Sequence, residues 1–517
     1  MLGYHMIQTS LVKLVPAHHF YQQLLQAVDF RFVRPLFEPF YSTTGRPSLD
    51  PIVFVKLQLV AHLENITSDR KLLELANLHL GIRAFLGYEL EQPLPWHSTL
   101  CRTRHRIPVS VFEICFSHIV GICIQKGLVS GHTQVIDSAY IKANASMSRL
   151  KPKPAIWSSE TNSRLGKPNA PRLTASADRL QHIHRFHKNI KKAAPNKAGQ
   201  LLSNLTHYSP TDPDARIAFK TGKPRQLAYM ASVSVDVAQH VITHIQAGSA
   251  DRRDSRNLLP IVDTTQTRLT SFGVAMSNVV ADAGYSSGEN YEHLEDRGLT
   301  GYIPPHGKYK EERPGFRYDP TSDSYTCSQG KRLGFDRLVV DKQGNPKKRY
   351  LAKGSDCKDC PLREPCKGKK ASEKRLHHTY YKAQYERMVD RLSNRFGKRM
   401  MRIRSATVEP VLGSLINYFG LRQINTRSRE AAAKVMYVAA MAYNLKKYLR
   451  FTPAEQSGMV IALPVPDQFC YMLIYFCNSH ISYTTLLILS QFSVESVCMK
   501  HLYFTLLSDN VRYETRH

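Results

Sequence analysis

TQVIDSAYIKA, at residues 133–143, alternates apolar and polar side chains, which is the pattern of a half-buried β-strand. Two further strands are predicted along the chain, in QLAYMASVSVD (226–236) and QHVITHIQAG (239–248). A helix, a strand, a helix and a strand then follow, in SRNLLPIVDTTQTRL (255–269), SNVVADAGY (277–285), SGENYEHLEDRG (287–298) and TGYIPP (300–305). Three successive strands followed by alternating helices and strands indicate an α/β domain built on a mixed sheet.

Three acidic residues stand out within this pattern. Asp137 and Asp282 end apolar strand runs, and Glu409 lies in the helical stretch TVEPVLG. Two acids at strand ends and one on a helix can converge, and Mg²⁺ binds through carboxylates together with substrate phosphates. Two such ions would assist both the attacking and the leaving oxygen of a phosphodiester. The alternative is structural, because the chain has 42 Asp and Glu residues and an Asp at a strand end is commonly a cap or turn residue.

Several motifs of the chain resemble the DDE transposases of bacterial insertion sequences, in the subgroup with a helical N-terminal domain and a cysteine-bearing insertion. The resemblance runs from about residue 30 to residue 450. The motifs that carry it, in chain order, are GRPSLDPIVFVKLQLV (45–60), LGYELEQPLPWHSTLCRTR (86–104), IDSAYIKANAS (136–146), SPTDPDAR (209–216), ADAGYSSGEN (281–290) and RSATVEPVLGSL (404–415). Near the end of the resemblance, Asn444 and Lys446 also match.

The resemblance implies a ribonuclease-H-like mixed-sheet catalytic domain with insertions, preceded by an all-α N-terminal domain. It also implies that Asp137, Asp282 and Glu409 are the catalytic acids, which bind Mg²⁺ or Mn²⁺. Arg404 corresponds to a basic residue that precedes the glutamate of this family and would contact DNA. The chain departs from the family at Ile416, seven residues after Glu409, where such transposases commonly carry a DNA-holding Lys.

Three regions are expected on this basis. A helical N-terminal domain at residues 1–125 is predicted from the apolar spacing of 50–66 and 70–87. By the resemblance it would recognise element ends or make dimer contacts, although a packing platform without base contacts is an equal alternative. The catalytic domain would span 126–451, with a basic insertion at 142–208 and a cysteine-containing insertion at 305–375. Residues 452–517 would be an atypical apolar extension.

The charge of the chain favours a polyanionic partner. It contains 71 Lys and Arg against 42 Asp and Glu, which gives a formal net charge of +29 and a pI near 9.7. Neutralising phosphates releases counterions, so binding of double-stranded DNA is expected to weaken steeply with salt. The basic insertion follows Asp137, and it supplies three candidate phosphate contacts, Lys188, Lys191 and Lys192. Charge alone also fits a basic protein that binds RNA without specificity.

Four cysteines fall within forty residues of one another in the second insertion. They are Cys327, Cys357, Cys360 and Cys366, in the pattern C-x29-C-x2-C-x5-C. A CxxC pair with two further thiols can form a tetrahedral structural zinc site. The alternative is four free thiols in a reducing compartment. Disulfides are not expected, because no secretory signal is visible.

The C-terminal extension contains no Lys, Arg, Asp or Glu between residues 468 and 494. Its length would permit a membrane helix, but polar residues from 478 to 485 divide it into two short apolar patches. No membrane partner is therefore expected. The expected location is the bacterial cytoplasm, in association with the nucleoid.

The function predicted by the resemblance is that of a transposase. Such an enzyme cuts DNA at the terminal inverted repeats of its element and joins the freed ends to target DNA, and it works as a dimer or a larger assembly. Two other functions stay open. One is an inactive or repurposed relative that only binds DNA, which Ile416 and the unusual C-terminal extension motivate. The other is a metal-dependent nuclease that cuts without joining.

Overall fold

A computed structural model describes residues 10–451, except 43, 45–47, 154–201, 221, 223, 308, 310–312, 342–343 and 368–370. The N-terminal part of this range is helical, as predicted. Its helices are α1 Leu11–Leu14, α2 Phe20–Ala27, α3 Val33–Phe37, α4 Pro51–Leu63, α5 Asp69–Leu78, α6 Leu80–Leu86, α7 His97–Arg106 and α8 Val109–Gln125.

Helix α4 shows how this region is specified locally. Asp50 precedes the helix, and its Oδ1 accepts a hydrogen bond from the Ile52 backbone N–H at 2.7 Å. Pro51 occupies the first helical position, where its missing N–H removes no helical hydrogen bond. Phe54 and Leu57 are fully buried along this helix, so α4 forms the centre of the helical region rather than its surface.

The central sheet has six strands and mixed directions. Its strands are β1 Thr133–Lys142, β4 Arg216–Ala218, β5 Gln226–Asp236, β6 Ile242–Ser249, β7 Asn278–Ala281 and β8 Thr300–Tyr302. The order is β4-β5-β1-β7-β8, with β6 also paired to β5. Strand β1 is antiparallel to β5 and parallel to β7. A separate two-stranded pair joins β2 (Lys151–Pro152) to β3 (His207–Tyr208) within the basic insertion.

Helices cover both faces of this sheet. They are α9 Leu258–Ser271, α10 Gly288–Asp296, α13 Lys382–Ser393, α14 Arg395–Tyr418 and α15 Arg429–Arg450. Along β1, Val135 and Ile141 belong to one hydrophobic core, and Ile136 belongs to a second core on the opposite face. The first core also contains Phe54 of α4 and Met441 of α15, so the N-terminal helices and the sheet share one interior. The predicted ribonuclease-H-like mixed-sheet architecture is thereby confirmed, whereas the predicted domain boundaries stay predictions.

A second, five-stranded antiparallel sheet occupies the cysteine-containing insertion. Its strands are β9 Phe316–Asp319, β10 Ser324–Cys327, β11 Arg332–Val340, β12 Pro346–Ala352 and β13 Arg375–Thr379, in the order β13-β12-β11-β10-β9. The short helices α11 Gly354–Lys358 and α12 Arg363–Lys367 lie between β12 and β13. The charged stretch at 372–401 suggests a single helix by its composition, but RLHHT within it forms β13, where Leu376 and His378 face the interior of the insertion.

Among the described helices, none is by itself both long and apolar enough to cross a membrane. Helices α7 and α8 pass a length and composition test only as a pair, and they meet at a bend of 94°. Much of α8 packs into the first core, through residues such as Phe112, Phe116 and Ile119.

Candidate active site

Asp137 and Asp282 are brought side by side by the register of the sheet. In the parallel pairing of β1 with β7, Ile136 lies opposite Ala281, the last residue of β7, and Asp137 and Asp282 are the residues that follow these two. Side chains alternate between the faces of a sheet, so Asp137 shares a face with Val135, and Asp282 shares one with Val280. Both valines belong to the first hydrophobic core. The two carboxylates therefore project on the same face of the sheet. Asp282 directly follows the end of β7, as expected, whereas Asp137 lies in the middle of β1 because pairing with β5 extends that strand to Lys142.

Helix α14 brings the third acid to that face. The helix begins after Asn394, whose Oδ1 accepts a hydrogen bond from the Gly397 backbone N–H at 2.7 Å. Val408 and Val411 are fully buried in the first core, and they dock the helix against the sheet. Glu409 directly follows Val408, and 60% of its side chain stays exposed. Helix α14 therefore carries Glu409 to the face of the sheet from which Asp137 and Asp282 project.

Arg404 connects two of these acids. Its Nη1 donates to Asp137 Oδ2 at 2.9 Å, and its Nη2 donates to Glu409 Oε1 at 3.3 Å. The guanidinium is mostly buried, with 16% of the side chain exposed, and Nη2 also donates to the Ser405 hydroxyl at 3.0 Å. The fork of N–H groups on an arginine suits carboxylates and phosphates equally. Arg404 thus places one positive charge between the acids of the strand and the helix.

The pKa of the Asp137 carboxyl is raised, first of all by burial of the carboxylate and then by the negative charges of Asp282 and Glu409. The Ser138 backbone N–H, which donates to Asp137 Oδ1 at 2.7 Å, and the charge of Arg404 both act in the opposite direction. Repulsion between carboxylates held this way is relieved by a bound cation. The electrostatics of the site therefore favour a positively charged ligand.

The turn that carries Asp282 is tied to β1 by hydroxyl groups. Asp282 caps the 3₁₀ helix Ala283–Tyr285, and its Oδ1 accepts a hydrogen bond from the Gly284 backbone N–H at 2.9 Å. The buried Tyr285 hydroxyl lies 2.5 Å from Ser138 Oγ, which in turn lies 2.7 Å from Ser232 Oγ on β5. This hydrogen-bonded chain joins three segments directly behind the acids. Sequence reasoning missed it, because Tyr285 and Ser138 are 147 residues apart.

A fourth acid, Asp254, also lies in this neighbourhood and was not predicted from the sequence. It begins the 3₁₀ helix Asp254–Arg256, just before α9. Burial, followed by the charges of Asp282 and Asp137, raises the pKa of Asp254 to about 6. The one sequence signal available was an Asp immediately before a predicted helix, and helix caps make that signal common.

The donor chemistry of the site fits a divalent cation such as Mg²⁺. All of the converging side chains are carboxylates, and hard oxygen ligands are those that Mg²⁺ prefers. Within the described parts of the chain, no group of three or more His, Cys, Asp or Glu side chains is arranged closely enough to enclose a metal ion. Arg404 holds two of the acids together instead. Asp137, Asp282 and Glu409 therefore lie near one another without closing around an ion.

The predicted zinc site is not supported by the structure. All four cysteines of the insertion are described and free, and no three metal-binding side chains of the described residues cluster there. Cys327 and Cys357 instead pack against the small core of the second sheet, beside Tyr325 and Tyr350. The hydroxyls of these two tyrosines belong to a hydrogen-bonded network with His378 and Asp323, which links strands of the second sheet. Tyr350 donates to Asp323 Oδ1 at 2.6 Å.

The remaining predicted residues have different outcomes. Lys188, Lys191 and Lys192 lie outside the described residues. Ile416 is half-buried and packs against the first hydrophobic core, which explains an apolar residue at that position of α14. Asn444 is fully buried, and its side chain makes hydrogen bonds at 2.9 and 2.8 Å to the backbone N–H and C=O of Ile242, so it fastens α15 to β6.

Two regions of the chain match known protein families. Residues 9–106 match the family described as "Transposase domain (DUF772)", and residues 326–449 match the family described as "Transposase DDE domain". Both families are described as transposase domains, and the two matches together cover less than half of the chain. The second match contains Arg404 and Glu409, and the other two acids lie upstream of it. Both matches support a DNA transposase of an insertion element, in agreement with the motifs of the sequence.

Comparisons with individual proteins add little to this assignment. No curated protein matches the chain. Two solved structures are similar to part of it, a "Mos1 transposase paired-end complex with left transposon end" and a pre-cleavage Mos1 transpososome. Both are 9% identical, cover 52% of this chain, and have TM-scores of 0.15 and 0.14. The matched part of the chain spans only 63% and 64% of the lengths of those two proteins.

Proposed function

We propose that this transposase cuts DNA at the ends of its insertion element and joins those ends to target DNA. The observation that carries the proposal is the convergence of Asp137, Asp282 and Glu409 on one face of the sheet, with Arg404 bridging two of them. The interior of β1, the end of β7 and a packed helix hold these side chains, so little reorganisation is needed when a phosphate arrives.

Asp137, Asp282 and Glu409 would hold the catalytic Mg²⁺ or Mn²⁺ ions. When bound, such ions would supply positive charge to the attacked phosphate and to the leaving oxygen. In the first step a water oxygen attacks phosphorus at the element end and the bond to the 3′ oxygen breaks, which leaves a 3′-hydroxyl and a 5′-phosphate. In the second step that 3′-hydroxyl attacks a target phosphodiester and displaces the 3′ oxygen of the target.

The protein's own groups would position the strands. Arg404 has N–H donors directed at Asp137 and Glu409, and a phosphate oxygen brought between these acids would come within reach of the same guanidinium. The net charge of +29 would draw the DNA backbone to the surface. Lys188, Lys191 and Lys192 stay candidates for phosphate contacts on sequence grounds. Because both ends of an element must be processed, we also propose that two or more copies of the protein act together. The proposed location is the cytoplasm, at the nucleoid.

The proposal is tested with a DNA fragment that carries the coding sequence and its flanks. We expect Mg²⁺-dependent cuts at the flanking inverted repeats, followed by products in which those ends are joined to a plasmid target. Binding without cuts, with or without Mg²⁺, would instead identify an inactive DNA-binding relative. Cuts that never yield joined products, even from pre-cut ends with a free 3′-hydroxyl, would identify a nuclease.

A further inference from the structure

The carboxylates of Asp254 and Asp282 both lie next to Gly284. A Cβ atom built on Gly284 would meet Asp282 Oδ1 at 3.0 Å and Asp254 Oδ2 at 3.2 Å. These two carboxylate oxygens are therefore no more than about 6 Å apart. Since a side chain on residue 284 would enter the space between them, the glycine keeps that space open.

A buried amide holds the two segments in this arrangement. Asn290 on α10 is 2% exposed, and its Nδ2 donates to the carbonyl of Ser255 at 2.8 Å and to that of Tyr285 at 2.7 Å. Ser255 directly follows Asp254, and Tyr285 ends the 3₁₀ helix that Asp282 caps. The Asn290 side chain thus donates a hydrogen bond to one backbone carbonyl in each of the two turns that carry Asp254 and Asp282. Buried polar groups are nearly always hydrogen-bonded, so these contacts fix the two turns relative to each other. The neighbourhood of Asp254 and Asp282 is therefore built into the fold.

Asp254 differs from the other acids in lacking a donor. Asp137 and Glu409 accept hydrogen bonds from Arg404, and Asp282 accepts one from the Gly284 backbone N–H. Among the described residues no hydrogen bond or ion pair reaches the half-buried Asp254 carboxylate, and the charge of Lys220 offsets burial and the charges of Asp282 and Asp137 only in part, since the pKa of Asp254 stays raised. A carboxylate withdrawn from water and placed near other carboxylates is costly unless a cation or a bound water compensates it.

We propose that Asp254 is a fourth carboxylate of the cation site, and that it holds the divalent ion, or a water molecule on that ion, together with Asp282. This inference rests on the proposed function, because it adds a residue to the same metal site. Mg²⁺ retains several of its waters when bound by proteins, so a carboxylate that accepts from such a water contributes to affinity. The gap above Gly284 is the space in which that contact forms.

The test is calorimetric titration of the full-length, metal-free protein with MnCl₂, comparing wild type with Asp254→Asn. The change keeps the shape of the side chain and removes its charge. Asp296→Asn, at the exposed C-terminal end of α10, is the matched control. We expect Asp254→Asn to weaken Mn²⁺ binding by about tenfold or more. Asp296→Asn should bind like wild type, and circular dichroism should show that both variants are folded.

Asp282→Asn, measured in the same series, separates this inference from the proposed function. If Asp282→Asn loses Mn²⁺ binding while Asp254→Asn binds as wild type does, the inference about Asp254 is overturned and the proposed metal site stands. If wild type binds no Mn²⁺, or if Asp282→Asn binds as wild type does, the proposed metal site fails and the inference fails with it. Loss of binding in both variants, with the control unaffected, is the result that supports the fourth carboxylate.

Discussion

Arg404 Nη1 lies 2.9 Å from Asp137 Oδ2, and both side chains are more than four-fifths buried. In the metal-free protein this guanidinium is the charge that compensates the acids of β1 and α14. A cation that binds Asp137 must therefore share the carboxylate with Arg404 or displace it.

We expect Arg404→Gln to destabilise the metal-free protein, because charge-assisted hydrogen bonds of this kind contribute about 1.5–3 kcal/mol and their loss leaves the carboxylates to repel one another. Mg²⁺ should then raise the melting temperature of this variant more than that of wild type. Arg402→Gln, on an exposed position of the same helix, is the control. Equal melting temperatures for wild type and Arg404→Gln in EDTA would show that the ion pair contributes nothing.

Tyr285→Phe removes the hydroxyl that joins the Asp282 turn to Ser138 of β1. We expect a loss of about 1 kcal/mol in the free energy of unfolding, the usual contribution of such a hydrogen bond. Because the turn positions Asp282, the rate of DNA cutting should fall while the Kd for end DNA stays unchanged. Tyr443→Phe, at a buried tyrosine that packs against Phe419, provides the comparison. A variant that cuts at the wild-type rate would show that the hydroxyl has no positioning role.

The second sheet should be independent of zinc. Metal analysis of the purified protein is expected to find far less than one zinc per chain, and the double change of Cys357 and Cys360 to Ser should leave the melting temperature nearly unchanged. Asp323→Leu should lower it clearly, since Asp323 accepts hydrogen bonds from Tyr318 at 2.7 Å and Tyr350 at 2.6 Å. Stoichiometric zinc that is lost on the cysteine changes would restore the zinc prediction.

The same sheet should loosen in acid. Burial lowers the pKa of His378 from 6.5 to about 4, and its ring contacts the hydroxyls of Tyr325 at 2.8 Å and Tyr350 at 3.0 Å. Between these two pKa values the unfolded chain binds a proton that the folded chain does not, so stability rises with pH across this window and is lost as pH falls through it. The protection of backbone amides in β10, β12 and β13 against hydrogen exchange, relative to their intrinsic exchange rates at each pH, should therefore fall from about pH 6.5 to about pH 4. Exchange in β1 and β5 is the internal reference, and a uniform response of both sheets would argue against this cause.

The sequence predicts the central sheet well because its strands alternate in polarity. Asp282 and Glu409 lie in local features that the sequence shows, a strand end and a helix, whereas Asp137 lies within β1, because the pairing with β5 extends that strand past it. The strand β13 was hidden inside a charged run, since RLHHT contains only a short alternation, and its pairing with β12 decides its structure.

Other features depend on contacts that no local pattern reveals. Asp254 lies near Asp282 because Asn290 holds two turns together, and the sequence separates those acids by 28 residues. Cysteine spacing likewise cannot show which way thiols face, and Cys327 and Cys357 pack toward an aromatic core. Arg404 was found as a basic residue before Glu409, but its contact with Asp137 across 267 residues became apparent only in the folded chain.

The most direct measurement is Mg²⁺-dependent cutting of end DNA by Asp137→Asn, Asp282→Asn and Glu409→Gln, each compared with wild type and with Asp296→Asn. We predict that each of the three changes lowers the cutting rate by about 1,000-fold or more, as losses within one catalytic unit do, while the Kd for the same DNA stays within about twofold. Asp296→Asn should cut like wild type. Cutting at the wild-type rate by any one of the three variants would contradict the assignment of these acids to a single active site.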